Sequence, residues 1–464
     1  MSRNLFAVSP VTRRRSQGSP YRFCYALVAG WLAVGLVSGC MEPTRPGWLG
    51  LNTHLGYPEY DGTGASAKTS AADRQVCFDL VGELRVPMVR DLLLNWARIQ
   101  PAPHSPYDFS LSDDLVRRAQ ARHVDLLALC WGVPRWAAAG PGTSPVDLGV
   151  PARQYSDEFV RVVRQFVERY DGDGWADMPG LRMPIRAYQF MNEMEDIPPE
   201  EYAYWLKLFY TAVTGARAKT VVVLGGLRSP GLRSVDEPEG DRPTYFERLL
   251  ADPQLAGPHR PYFDVVAFNY FPSLYPGRSE FDDPLAYLRG TMGAQGLKLP
   301  IWLTEFGCSN SGTSQEAAQA DNVVKWSLRA RALGIERAYL YSLWDCPRPG
   351  ERGPAETMGL VREAPSGQVP APKAAFGSFR ILLAELEQRP AVTRQDEGVY
   401  RLTGKGEPVY AVWRVESYAP APRLIPGWWE VRGLYGTRFT RQGVAIEVTD
   451  SPMFVERVSS AFLK

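Results

Sequence analysis

A parallel (β/α)8 barrel of the TIM type, followed by a small antiparallel β domain, is the fold this sequence predicts, and three observations predict it. From Trp48 onward, eight short apolar runs alternate with amphipathic stretches, the pattern of repeated βα units. No glycine-rich phosphate loop follows the first run, which argues against a doubly wound open sheet. Polar residues gather at the C-terminal ends of the apolar runs, and in a barrel those ends converge on one mouth.

The strand-like runs are 48–54 (WLGLNTH), 87–94, 125–131, 185–193, 221–226, 263–271, 300–307 and 337–345. Amphipathic stretches at 112–123, 155–170, 200–218 and 314–334 carry apolar residues at spacings of three and four, as a half-buried helix requires. Ser112 before two Asp residues, and Ser156 before Asp157 and Glu158, read as helix starts. The polar strand ends are Asn52 and His54, Arg90 and Asp91, Trp131, Asn192 and Glu193, Asn269 and Tyr270, Glu305, and Trp344 with Asp345. After a last helix (373–387), alternating segments at 399–417, 428–440, 444–450 and 453–459 are separated by glycine turns. We assign the barrel to residues 48–389 and a small β-sandwich-like domain to 390–464.

Composition narrows the function. The chain has 464 residues, 45% hydrophobic and 22% charged, which excludes fibrous and wholly disordered classes. Lys plus Arg number 52 against 51 Asp plus Glu, so no general field attracts nucleic acid. Four His argue against a histidine-rich metal site, and six Cys are too few for a disulfide-built scaffold.

The N-terminus reads as an address. Arg13, Arg14 and Arg15 precede an apolar run from Phe23 to Gly39, and Leu36-Val37-Ser38-Gly39-Cys40 resembles a bacterial lipobox. On this reading 1–39 is a lipoprotein signal peptide, Cys40 takes the lipid, and 40–47 is a linker. The rest of the chain is then extracytoplasmic and held to a membrane. An uncleaved anchor is the alternative, with a run at the short edge of a span. Cys24 leaves with the signal. Cys308 and Cys346 follow neighbouring strand ends, where a disulfide would brace the mouth; Cys77 and Cys130 read as unpaired.

The chemistry rests on two of the strand ends. Tyr188-Gln189-Phe190-Met191-Asn192-Glu193 ends the fourth strand and Ile301-Trp302-Leu303-Thr304-Glu305 the seventh. A carboxylate closing an apolar strand is costly unless it has a partner or a task. Two carboxylates across one mouth are what glycosidic bond cleavage uses.

These residues resemble the clan of retaining (β/α)8 glycoside hydrolases, with an Asn-Glu pair after strand four and a Glu after strand seven. The segment 88–109, the turn Cys130 to Trp136 and the LNTH of the first strand make the chain most similar to glycoside hydrolase family 39, which includes β-xylosidases and exopolysaccharide-associated endoglycosidases. The resemblance implies Glu193 as acid/base and Glu305 as nucleophile. It implies Asn192 on the sugar 2-hydroxyl, Arg90 and the Tyr270 hydroxyl holding Glu305 ionised, and Trp344 as a floor under the cleaved sugar. Trp131 and Trp136 would line the cleft, and His54 stands as a further binding candidate. One departure is Phe268-Asn269-Tyr270, where the clan often has His-x-Tyr. The implied substrate is a polysaccharide, oligosaccharide or xyloside; no cofactor, metal, nucleic acid or obligate protein partner is called for. A family 5-like β-glycanase and a catalytically silent sugar-binding lipoprotein are the other readings.

Overall fold

The computed structural model describes residues 47–56, 70–140, 149–216, 220–231, 243–257, 259–275, 280–310, 313–345, 357–415, 428–442 and 448–458. The signal-like segment, Cys40 and Cys346 lie outside the described residues. No described helix is long and apolar enough to cross a membrane.

The barrel strands are β1 (Leu49–Asn52), β2 (Met88–Asn95), β3 (Asp125–Trp131), β4 (Ala187–Phe190), β5 (Val221–Val223), β6 (Leu227–Arg228), β7 (Val266–Asn269), β8 (Ile301–Phe306) and β9 (Arg337–Leu340). All neighbours pair in parallel, in the order β5-β4-β3-β2-β1-β9-β8-β7-β6. A parallel bridge from Val223 to Val265 closes the ring. β5 and β6 are two pieces of one stave, broken at Gly225-Gly226, so the eight expected staves are present and β8 is the seventh.

Between the strands lie α1 (Ala71–Leu84), α2 (Trp96–Ile99), α3 (Ser110–Gln120), α4 (Ser156–Tyr170), α5 (Pro199–Ala216), α6 (Tyr245–Ala251), α7 (Asp282–Ala294) and α8 (Thr313–Ala332). α4 buries Phe159, Val162, Val163, Phe166 and Val167, which recur at three and four spacing along one face. Ser156 is its first helical residue, as expected. Ser112 does not start α3; it sits inside the helix, and its hydroxyl donates to the Leu93 carbonyl at 2.7 Å, tying α3 to β2.

α9 (Ala374–Gln388) leads into β10 (Ala391–Asp396), β11 (Val399–Thr403), β12 (Val409–Val412), β13 (Trp428–Gly433), β14 (Arg438–Gln442) and β15 (Met453–Arg457). These form one antiparallel sheet, ordered β10-β11-β12-β15-β13-β14, and not the two layers of a sandwich. The physical reason is that a barrel helix layer already covers one face. Tyr400, Leu402, Val409, Ala411 and Phe454 join the barrel's core, whereas Val399, Val412, Trp429, Val431 and Val455 form a separate cluster on the other face. That alternation is the two-residue period of a strand. An ion pair fastens the sheet to α9, with Arg432 of β13 reaching Glu385 at 2.7 Å; the same guanidinium holds Glu456 of β15 at 3.0 Å.

Candidate active site

The interior of the barrel explains which residues reach the mouth. Met88, Leu127, Ala187, Val223, Val265, Ala267, Trp302 and Tyr339 fill one apolar layer inside the ring. Side chains alternate along a strand, so residues two positions onward face the same interior. Those positions are Arg90 on β2, Gln189 on β4, Asn269 on β7 and Thr304 on β8, and all four are buried.

Arg90 is the hub. Its guanidinium is 1% exposed and donates to four acceptors: Gln189 Oε1 at 2.7 Å, Asn52 Oδ1 at 2.9 Å, Glu305 Oε1 at 2.8 Å and Asn192 Oδ1 at 2.8 Å. Each partner is fixed in turn. The Asn52 amide donates to the carbonyls of Thr304, Tyr339 and Leu340, and the Gln189 amide donates to Leu224. A buried guanidinium is tolerated only with such complete pairing.

Glu305 reaches the mouth through an irregularity. Trp302 and Thr304 face the interior, so a regular strand would turn Glu305 outward. The β7–β8 register instead steps from Phe268–Leu303 to Asn269–Glu305, and the β8–β9 register shifts over the same stretch. A bulge re-aims a side chain in this way. Glu193 arrives differently. Met191 and Glu193 both hold left-handed backbone, φ 62° and 46°, a conformation costing about 1–2 kcal/mol for a residue with a Cβ. The Glu193 N–H donates to the Gly226 carbonyl at 3.0 Å, holding the turn.

The two carboxyls are linked by amides. Asn269 donates to Glu193 Oε1 at 3.0 Å and to Asn192 Oδ1 at 3.1 Å, and its own oxygen accepts from Thr304 at 2.8 Å. Asn192 also hydrogen-bonds Glu305. Arg228 closes on the outer oxygen, with Nε 3.1 Å from Glu193 Oε2. Burial pushes the Glu305 carboxyl up to about 7; the Arg90 guanidinium pulls against that, and the charge of Glu193 adds to it. Arg90 and Asn192 therefore only partly offset burial, which corrects the expectation that Glu305 is simply held ionised.

Other candidates divide. Tyr270 is buried and stacks on Tyr275 at 5.3 Å, and its N–H donates to the Glu305 carbonyl at 2.9 Å. His54 sits at the mouth on left-handed backbone, edge-on to Tyr341 at 4.8 Å. Burial first, then Arg90, lowers its pKa to about 3, so it is a neutral imidazole. Trp131 is half-buried at the end of β3, and its indole N–H has no acceptor among the described residues. Trp136 is half-buried: its N–H donates to the Gln100 carbonyl at 3.2 Å, and its ring lies edge-on to Trp96 and Tyr155. Trp344 is also more buried than a sugar floor requires, at 3% exposure, with 357–361 laid against it through a bridge to Val361. Cys308 is a free, buried thiol that accepts from Asn322 at 3.5 Å, and its expected partner Cys346 lies outside the described residues; Cys77 and Cys130 are free and buried as expected. The described residues do hold one cluster of carboxylates, Asp171, Asp173 and Asp177 within 4.8 Å of one another. It lies in the α4–β4 loop, on the opposite face from the mouth.

Sequence reading missed Gln189, Arg228 and Gly226. A Cβ on Gly226 would meet Asn269 Oδ1 at 2.6 Å, Thr304 Oγ1 at 2.9 Å and Asn192 Oδ1 at 3.0 Å. Gly226→Ala is therefore expected to displace both amides and cut turnover by about 100-fold, as a misplacement of about 1 Å does, while leaving the protein folded. Unchanged turnover at a normal unfolding midpoint would sink this view of the amide pair.

No protein-family model matches the chain, and no curated protein matches it in sequence. Solved structures do match in fold. A family 39 glycoside hydrolase from the gut symbiont Bacteroides cellulosilyticus superposes with a TM-score of 0.65 at 16% identity, covering 89% of this chain and 81% of that one. A monomeric β-xylosidase from Caulobacter crescentus gives 0.57 at 13% identity, over 90% and 98%. A family 30 endoxylanase from Clostridium papyrosolvens gives 0.53 at 14%, over 91% and 98%. At these identities the likeness is one of fold: a barrel with a β domain, shared nearly end to end.

Proposed function

We propose that this chain is a retaining glycoside hydrolase, with Glu305 as nucleophile and Glu193 as acid/base. The observation that carries the reading is the asymmetric carboxyl pair on staves four and seven. One carboxyl, on a side chain 7% exposed, is ion-paired to a fully committed arginine; the other, on a side chain 27% exposed, reaches solvent.

In the first step a Glu305 oxygen attacks the anomeric carbon. The glycosidic C–O bond breaks, and the leaving oxygen takes the Glu193 proton. In the second, Glu193 accepts a proton from water, the water oxygen attacks the same carbon, and the bond to Glu305 breaks. Two inversions retain configuration. The division of labour follows solvation. A sugar in the cleft covers the exposed Glu193 and favours its neutral form there, while Arg90 stays on Glu305. Asn192 would meet the sugar 2-hydroxyl, and the half-buried Trp131 ring would line the cleft. The N-terminal sequence supports a lipid-anchored, extracytoplasmic enzyme, for which a polysaccharide, including an exopolysaccharide, is the accessible substrate. A silent sugar-binding protein would need neither the strained backbone at Glu193 nor the bulge at Glu305.

The test is Glu193→Ala on an activated aryl glycoside, chosen by screening xylosides and other aryl glycosides on the wild type. We expect slow turnover that azide accelerates, with a glycosyl azide of retained configuration as product. An azide product of inverted configuration, or no azide effect alongside unimpaired hydrolysis, would remove Glu193 from this role.

A further inference from the structure

An ion pair at the proposed acid is an awkward arrangement, because a carboxylate held by a guanidinium has no proton to give. Arg228 makes such a pair. Its Nε lies 3.1 Å from Glu193 Oε2, and its Nη2 lies 3.3 Å from Asp196 Oδ2. Both separations exceed the roughly 2.7–2.9 Å of a tight charge-assisted bond. The guanidinium is shared between two anions and fully engaged with neither.

The two arginines of the mouth differ in freedom. Arg90 is sealed among four acceptors. Arg228 closes the two-residue β6, and its side chain is 48% exposed. Only its backbone is pinned, with the N–H donating to Glu195 Oε1 at 2.6 Å. Asp196 is 83% exposed and sits three residues beyond Glu193, in the turn that follows. The guanidinium can therefore pivot between the two carboxylates with no change in the fold.

We propose that Arg228 is a positioning residue whose guanidinium moves between Asp196 and Glu193 as Glu193 gains and loses its proton. The inference rests on the acid/base reading of Glu193. When the leaving oxygen takes the proton, Glu193 becomes an anion and Arg228 closes on it, stabilising the carboxylate that must next act as base. When water returns a proton, Glu193 is neutral again and Arg228 goes back to Asp196. Nothing is consumed; one cation follows one negative charge.

The other groups facing Glu193 do not supply this. Asn269 on β7 donates to its inner oxygen and is neutral in both states. Glu305 on β8 becomes an uncharged ester in that step, which removes a repulsion but supplies no counter-charge, and Arg90 on β2 is committed to Glu305. Glu195 is pushed up to about 7, chiefly by burial, against the pull of the Arg228 N–H and charge. Asp196 is the exposed carboxylate of the turn that Arg228 also reaches.

The experiment compares Arg228→Gln with Asp196→Asn. Removing the cation lets Glu193 keep its proton to higher pH. Removing Asp196 leaves Arg228 on Glu193 alone and has the opposite effect. We expect the alkaline limb of kcat/KM to move up by about 1 pH unit in Arg228→Gln and down by a similar amount in Asp196→Asn. Arg228→Lys should keep the limb near the wild-type position. Carbon-13 titration of the Glu193 carboxyl, identified by its loss in Glu193→Gln, should move in the same two directions without turnover. Unfolding midpoints check that each variant is folded. Limbs and titrations that stay fixed, or that move the same way in both variants, overturn the proposal. That result differs from failure of the underlying reading, which is seen in the azide experiment on Glu193→Ala.

Discussion

Glu305→Gln should lower kcat by at least about 1000-fold, roughly 4 kcal/mol of barrier, on any substrate the wild type hydrolyses. The amide keeps the shape of the carboxylate and one acceptor for Arg90 but cannot form the glycosyl ester. Two further readouts separate this from a merely structural loss. First, kcat/KM of the wild type should fall as pH drops through about 7, where burial places the Glu305 titration, because the neutral acid is not a nucleophile. Second, stability should follow the same group. Its folded value of about 7 lies above the ordinary glutamate value of 4.5, so the folded state binds the proton more tightly. This contribution is fully present below about 4.5 and is lost as pH rises through about 7. Glu305→Gln has no such titration. The difference in unfolding free energy between variant and wild type should therefore shift in favour of the variant from pH 5 to pH 8. Equal hydrolysis by the variant would end the nucleophile assignment, and a flat stability difference would end the account of its burial.

Much of this site was legible in the sequence, and what was not has a common cause. Glu193 and Glu305 stand out because each closes an apolar run, and a buried charge in that place needs a reason. The eight staves were legible from period and spacing, with 125–131 matching β3 residue for residue. Gln189 and Asn269 were harder, since an amide within an apolar strand declares nothing about which face it takes. Their role follows from the parity shared with Ala187 and Ala267, and that parity has meaning only once the ring closes. Glu305 itself faces inward through a register shift that no local pattern announces. Arg228 was hidden because 221–226 reads as one strand, whereas the chain breaks at Gly225-Gly226 and resumes as β6. Trp131 and Trp136 have the same side chain five residues apart. Only their indole N–H groups tell them apart, one without an acceptor among the described residues and one spent on Gln100.

Arg90→Met should be the most damaging single change to the fold that also reports on the chemistry. The substitution roughly preserves apolar volume, so the effect comes from charge and hydrogen bonding. It strands the Glu305 carboxylate, 5% exposed, without its counter-ion, and it removes the donor from Gln189 Oε1 and Asn52 Oδ1. Breaking a buried pair from one side costs about 3–5 kcal/mol, which urea unfolding of the variant would read directly. The stranded carboxyl has one escape, to take up a proton, and without the pull of Arg90 its titration moves above about 7. The acid limb of kcat/KM, where activity survives, should move up with it. Arg90→Lys retains the charge but replaces a planar fork serving four acceptors by a point donor. It should therefore hold the acid limb closer to wild type while recovering only part of the stability. The two variants separate the electrostatic duty of Arg90 from its duty as a scaffold. If Arg90→Met left both the unfolding free energy and the acid limb where they were, Arg90 would be neither the counter-ion of Glu305 nor the hub of the mouth.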